Sequence, residues 1–225
     1  YADLFFEHTI SNSIRLMDGA VNNSYSNIDY GVGVRVLTGD QSGYAYVENI
    51  TVEDMLKAAR TAARIASANK GNKPLNLTEK ELKKNYYTVA SPWEEVSLKD
   101  KMPYLQKLND RIFALDKRVH KVQASQSDTT SHIFFCNSEG VMFYDYRPMV
   151  TLGAVCIMEE DGKTENGYAA RAYRRGFDFL SDEVVDVIAR EAVDQTSLLF
   201  KAIKPKGGEM PVVMGAGGSG ILLHE

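Results

Sequence analysis

Apolar and polar residues alternate over the first fifty positions, with the period of a half-buried strand. Ala2-Asp3-Leu4-Phe5-Phe6 begins one strand, and Ser13-Ile14-Arg15-Leu16-Met17 continues it until Asp18-Gly19 turns the chain. A second strand runs through Ile28-Asp29-Tyr30-Gly31-Val32-Gly33-Val34-Arg35-Val36, with Val32, Val34 and Val36 on one face. Its internal glycines predict a bulge or a close backbone approach. After the turn Gly39-Asp40-Gln41-Ser42-Gly43, Tyr44-Ala45-Tyr46-Val47 reads as a third strand. The period then changes to that of a helix. Thr51 and Asp54 have N-cap and N3 spacing, and the alanine-rich run 55–68 puts Ala58, Ala62 and Ile65 on one face.

Residues 70–92 are polar and lysine-rich, with Lys70-Gly71-Asn72-Lys73-Pro74 ending the helix and Ser91-Pro92 closing the segment. This divides the chain into an N-terminal α+β block over 1–75, a linker over 76–92 and a middle α+β block over 93–225. In the middle block Ser97 and Asp100 repeat the cap spacing before Leu105, Leu108, Ile112 and Leu115. Stretches 119–130, 132–136 and 141–146 read as strands, with Asn137-Ser138-Glu139-Gly140 as a hairpin loop. A long apolar strand over 150–158 turns at Glu159-Glu160-Asp161-Gly162-Lys163 and returns over 164–179. Ser181 caps a last long helix with Val185, Ile188, Ala192 and Leu199 inward, and 211–214 reads as a strand ahead of a glycine turn. Strands outnumber helices and follow one another as hairpins. The expected fold is therefore α+β, with mixed, mainly antiparallel sheets and flanking helices, rather than doubly wound α/β.

Composition narrows the classes. Hydrophobic residues make up 44% and charged residues 25%, the balance of a globular chain. A net charge of −4 argues against a general nucleic-acid binder while leaving room for a local basic patch, so no direct nucleic-acid contact is expected. No apolar run reaches membrane-span length, and the expected compartment is the cytoplasm. Cys136 and Cys156 form no C-x-x-C pair and read as reduced, buried hydrophobes. The start at Tyr1, already inside a strand, reads as a chain whose beginning is missing.

The chemistry concentrates at Gly215-Ala216-Gly217-Gly218-Ser219-Gly220-Ile221-Leu222-Leu223-His224-Glu225. The glycines match G-x-G-x-x-G literally, but they follow a hairpin-rich block instead of opening a βαβ unit, which counts against a dinucleotide site. His-Glu on an apolar stretch after a glycine turn is how several metallopeptidase helices begin. The imidazole binds zinc and the neighbouring carboxylate activates a water. A surface His-Glu pair is the plainer alternative. His8, His120 and His132 stand in strand-like segments and read as structural or solvent-facing.

The segment 212–225 resembles the approach to the H-E-x-x-x-H motif of the TldD/PmbA family of metallopeptidases. Similar matches occur in order at Ser26-Asn27-Ile28-Asp29-Tyr30-Gly31-Val32-Gly33-Val34-Arg35, Asp116-Lys117-Arg118-Val119, Arg147-Pro148 and Glu159-Glu160-Asp161-Gly162-Lys163. The resemblance implies a TldD-type catalytic subunit with His224 as a zinc ligand and Glu225 as the residue that polarises water, the remaining ligands lying past Glu225. Two histidines five apart stand about 140° apart on a regular helix, so a distortion is expected where they meet one metal. The resemblance also implies a homodimer, or a heterodimer with a PmbA-like subunit, acting on peptides or small unfolded proteins. The rival reading is a non-catalytic binding or regulatory subunit, in line with the family's older label as a modulator of DNA gyrase.

Two further expectations concern substrate. Arg171, Arg174 and Arg175, set among Tyr168 and Tyr173, form the most basic local cluster and are candidates for contacting a peptide carboxylate. A solvated strand face explains the same cluster. An extended substrate could also add to an exposed sheet edge.

Overall fold

The computed structural model describes residues 1–67, 76–80, 86–87 and 89–225. Seven strands form one sheet: β1 (Ala2–Met17), β2 (Ala20–Thr38), β3 (Gln41–Val47), β4 (Thr78–Glu79), β5 (Val119–Asn137), β6 (Val141–Glu160) and β7 (Lys163–Tyr173). Their order is β3-β2-β1-β5-β6-β4, with β7 also on β6. Every pairing is antiparallel except the short parallel bridge of β4 with Val141 and Met142. The helices are α1 (Val52–Ile65), α2 (Leu98–Leu115), α3 (Asp182–Leu199) and α4 (Ser219–His224). The chain is α+β, and one continuous sheet runs through both blocks because β1 pairs with β5 from Asp3 to Met17.

Local chemistry explains the corners. Asp18-Gly19 and Asp161-Gly162 both carry two successive positive φ angles, 50° and 80° in the first pair and 51° and 75° in the second. Those are the values a two-residue hairpin turn requires, and Asp-Gly supplies them at low cost. At the β5–β6 hairpin the Asn137 side-chain oxygen accepts from the backbone N–H groups of Glu139 and Val141, each at 3.0 Å. The helix caps fall where expected. Thr51 accepts from the Asp54 N–H at 3.2 Å, Asp100 accepts from the Ser97 N–H at 3.0 Å, and Ser181 accepts from the Val184 N–H at 3.3 Å.

Three sequence expectations are corrected. β5 and β6 are unbroken strands of 19 and 20 residues, so 130–132 and 146–150 are not breaks. Pro148 lies just beyond the last β7 partner of β6, Val150, where that side of the strand has no ladder partner among the described residues and a missing N–H is tolerated. Residues 211–214 form no strand: they have no ladder partner among the described residues, and Val212 and Val213 are almost wholly exposed. The inward positions of α1 and α3 also end differently. Ile65 and Leu199 face solvent while Ala66 and Thr196 are buried, each at the helical spacing that continues from Ala62 and Ala192. Leu115, the last apolar position read on α2, is likewise exposed.

Two clusters hold the helices to one face of the sheet. The larger joins Leu105, Leu108 and Ile112 of α2 and Val185, Ile188 and Ala192 of α3 to Leu16, Val122, Ala124, Leu152, Ala154, Cys156 and Met158. Both cysteines are free and buried. The smaller cluster sets Ala58 and Ala62 of α1 on Val34, with Leu4, Val36, Ala45 and Val47 alongside. Here alanine allows close approach: a Cβ at Gly43 would stand 1.9 Å from the Ala62 carbonyl oxygen. At Gly31 and Gly33 a Cβ would lie 2.8 Å from the Val47 carbonyl oxygen and 2.7 Å from the Tyr44 hydroxyl. Close backbone approach, not a bulge, is the reason for Gly31, whereas Gly33 meets only the end of the Tyr44 side chain. The β1–β2 register shifts elsewhere, between Arg15 and Leu16.

The lysine-rich run 70–74 lies outside the described residues, as do 81–85 and 88 of the expected linker. The linker's far end is anchored. Ser91 O accepts from the Phe177 N–H at 2.9 Å, and the buried Trp93 donates its indole N–H to Arg175 O at 2.8 Å.

Candidate functional site

His224 is the last residue of α4 and Glu225 follows it, its N–H bonded to Ile221 O at 3.3 Å in ordinary α-helical fashion. Gly217, at φ 119°, adopts a conformation that side chains rarely take just before this helix. The Ser219 hydroxyl bonds back to Gly215 O. Nothing on α4 is buried, and Ile221, Leu222 and Leu223 are exposed at 70%, 64% and 80%. Three adjacent apolar side chains on one helical turn are therefore open to solvent.

A catalytic zinc takes three protein ligands and an open position. His224 provides one imidazole and Glu225 an adjacent carboxylate, which suits that donor chemistry in kind and supplies part of it in number. Among the described residues no three His, Cys, Asp or Glu side chains stand close enough together to hold a metal.

Arg174 and Arg175 line one surface pocket with Tyr86, Val89, Ala90 and Asp178, and Arg171 is not among its lining residues. Arg171 makes a two-pronged contact with Glu191 of α3, Nη1 to Oε2 at 2.8 Å and Nη2 to Oε1 at 2.5 Å. Hydrogen bonding and charge attraction raise the Arg171 guanidinium above its usual range and hold the Glu191 carboxyl below its own. Arg174 lies over the Tyr87 ring at 5.3 Å, and Arg175 donates to Asp178 at 2.7 Å. Arg174 and Arg175 remain exposed, whereas Arg171 ties β7 to α3.

Sequence reasoning missed a polar cluster on the helix-bearing face. The β1–β5–β6 register sets His8, His132 and Tyr146 side by side. His132 bonds Glu94 through Nε2 at 2.8 Å and the Tyr144 hydroxyl through Nδ1 at 2.6 Å. The Tyr146 hydroxyl donates to the other Glu94 oxygen at 3.3 Å. Burial and the nearby Glu94 charge push both tyrosines' phenols up, so they stay protonated donors. Below them, Lys101 of α2 and Asp128 of β5 form a buried ion pair at 2.6 Å. Gln126 and Asn12 also donate to Asp128, each at 2.9 Å, and Lys101 lies 5.3 Å from the Trp93 ring. Strand register and the packing of the 93–101 segment onto the sheet together assemble these residues. The one sequence signal was polar Gln126, Asp128 and Thr130 at alternate positions facing the helices.

Comparison with known proteins shows the family. The description "PmbA/TldA metallopeptidase domain 1" matches residues 2–66, and "PmbA/TldA metallopeptidase central domain" matches residues 91–200. The chain belongs to the PmbA/TldD family of metallopeptidases. A metalloprotease TldD homolog of Haemophilus influenzae is 34% identical over all of this chain and 48% of its own length. A metalloprotease TldD homolog of Buchnera aphidicola is 29% identical over the same extent. The chain thus spans about half the length of these relatives. Among solved structures, a Thermotoga maritima protein assigned as a modulator of DNA gyrase superposes with a TM-score of 0.71 at 18% identity, over 92% of this chain and 46% of that one. TldE of Thermococcus kodakarensis superposes with a TM-score of 0.61 at 16% identity, over 87% and 44%. No helix among the described residues is long and apolar enough to cross a membrane.

Proposed function

We propose that this chain is the N-terminal and middle part of a TldD-like zinc peptidase that hydrolyses peptides or small unfolded proteins. The observation that carries the reading is His224-Glu225 at the end of a helix that follows a glycine turn, within a chain 34% identical to a TldD homolog along its whole length. In this reading His224 holds the metal, which when bound supplies Lewis-acid activation of a water. Glu225 accepts the proton of the attacking water and passes it to the leaving amine. The uncovered Ile221-Leu222-Leu223 turn packs against the rest of the site in the longer protein, fixing the imidazole and carboxylate. The domain division at 1–75 and 93–225 and a cytoplasmic setting belong to the same proposal, as does a dimer with a second subunit of this family.

The similarity to TldE supports a second reading, in which this fold serves as a docking subunit and chemistry resides in a partner. Metal content of the full-length protein separates the two. About one zinc per chain, lost in His224→Ala, supports the peptidase reading. Metal bound equally well by His224→Ala removes His224 from the site.

A further inference from the structure

We propose that the pocket where the 93–95 turn meets β5 and β6 binds a lysine side chain of a peptide. The proposal concerns binding alone and does not depend on the peptidase reading. The pocket measures about 510 Å³. β5 and β6 contribute His132 and Tyr146, the chain ahead of the turn contributes Tyr87, Val89 and Pro92, and Glu94 and Glu95 supply the charge. The 3-10 turn that carries both glutamates is seated by Trp93, which is buried and bonded to Arg175 O at 2.8 Å. Mainly apolar and aromatic lining with a few convergent polar groups, among them a perturbed phenol, is the composition of a ligand site.

The polar groups select a cation. Among the described residues no lysine or arginine pairs with Glu94 or Glu95, and none lines the pocket. Arg174 lies over the Tyr87 ring but lines the neighbouring pocket with Arg175. Burial first, and then the Glu94 charge, raise the phenols of Tyr144 and Tyr146, so the site is both poorly hydrated and negative. The geometry favours an ammonium over a guanidinium. His132 Nε2 donates to one Glu94 oxygen at 2.8 Å and the Tyr146 hydroxyl to the other at 3.3 Å. Glu94 therefore has no free two-oxygen edge for the fork of an arginine, while single lone pairs remain for a compact ammonium. The Tyr144 hydroxyl holds His132 Nδ1 at 2.6 Å, so these acceptors are fixed before a ligand arrives. Val89, Pro92 and the two tyrosine rings suit the four-carbon stem of lysine, and a ring face attracts the charge at its end.

Fluorescence anisotropy with the full-length protein, carrying Glu225→Gln to keep the probe uncut, tests this. The probe is an N-acetylated, fluorescein-labelled glycine-serine peptide with one lysine, beside the same peptide with norleucine in its place. The lysine peptide is expected to bind about tenfold tighter or more. Glu94→Gln and Glu95→Gln should each remove most of that preference and leave the norleucine peptide unaffected. Circular dichroism checks the fold of both variants, and Glu95, whose side chain makes none of the turn's bonds to the sheet, is the safer of the two. Equal binding of the two peptides, no binding of either, or a preference that survives both variants overturns the proposal. So does an arginine peptide that binds tighter than the lysine one. A lysine-free peptide with an unblocked amino terminus that binds as tightly also overturns it, and would assign the pocket to peptide N-termini. Turnover is not measured, so this proposal and the peptidase reading fail separately.

Discussion

The two ends of the sheet are covered in opposite ways. At one end α2 and α3 lay leucine, isoleucine and valine on β5 and β6, with a buried Lys101–Asp128 pair at the margin. At the other, α1 buries Ala58 and Ala62, with Ala59 partly buried beside them and Ala66 buried just past its end, and backbone packs almost on backbone at Gly43. The first end gains stability from apolar area and is sensitive to lost partners. The second gains little area and depends on shape, so it is sensitive to added atoms. Helices of similar amphipathic pattern can therefore fail by contrary substitutions.

Lys101→Ala should have the largest effect. It strands the Asp128 carboxylate among Gln126 and Asn12, at a cost of about 3–5 kcal/mol in urea unfolding. A loss under about 1 kcal/mol would show that the pair is solvated and would erase the contrast. Gly43→Ala should follow, at about 1–3 kcal/mol, because its Cβ must push the Ala62 carbonyl away. Hydrogen exchange should locate that loss in α1 and β3. Exchange that quickens equally in α3 would mean the two ends unfold as one unit.

A smaller effect depends on pH. Arg118 bonds Asp116 through Nη2 at 2.7 Å, reaches Glu160 at 3.1 Å and lies over Phe200 at 5.5 Å. Hydrogen bonds from Arg118 hold the Asp116 carboxyl below its usual range. A depressed folded value contributes stability above the unfolded pKa of about 4, and that stability is lost as pH falls through the folded value. The acid side of a melting-temperature profile should therefore flatten in Asp116→Asn, and an unchanged slope would remove Asp116 from the acid response. Arg171→Ala should be smallest, within about 1 kcal/mol, because both the arginine and Glu191 are partly exposed. A several-fold rise in KM for peptide in the full-length protein, with stability intact, would instead support Arg171 as a substrate contact.

The elements legible in the sequence were those whose chemistry is local. Asp-Gly turns, Thr51 and Ser97 caps and the Ala58–Ala62 spacing each act within a few residues. What the sequence did not disclose depends on register. His8, His132 and Tyr146 meet only because β1, β5 and β6 align, and the single strand over 119–137 reads as two because the polar run 127–132 parts its apolar positions around Ser131. The 211–214 segment has the β-branched residues of a strand, but propensity forms no strand without a partner ladder. The candidate site was visible through its glycines and its His-Glu pair. Its remaining geometry is not fixed by packing, since 221–225 are exposed.

The central claim is that Glu225 performs proton transfer beside a metal held by His224. The direct measurement is peptidase turnover on an unstructured protein together with zinc content, in the full-length protein and its Glu225→Gln variant. The account predicts unchanged zinc with turnover reduced by at least about a hundredfold in the variant. Turnover retained in Glu225→Gln would contradict it.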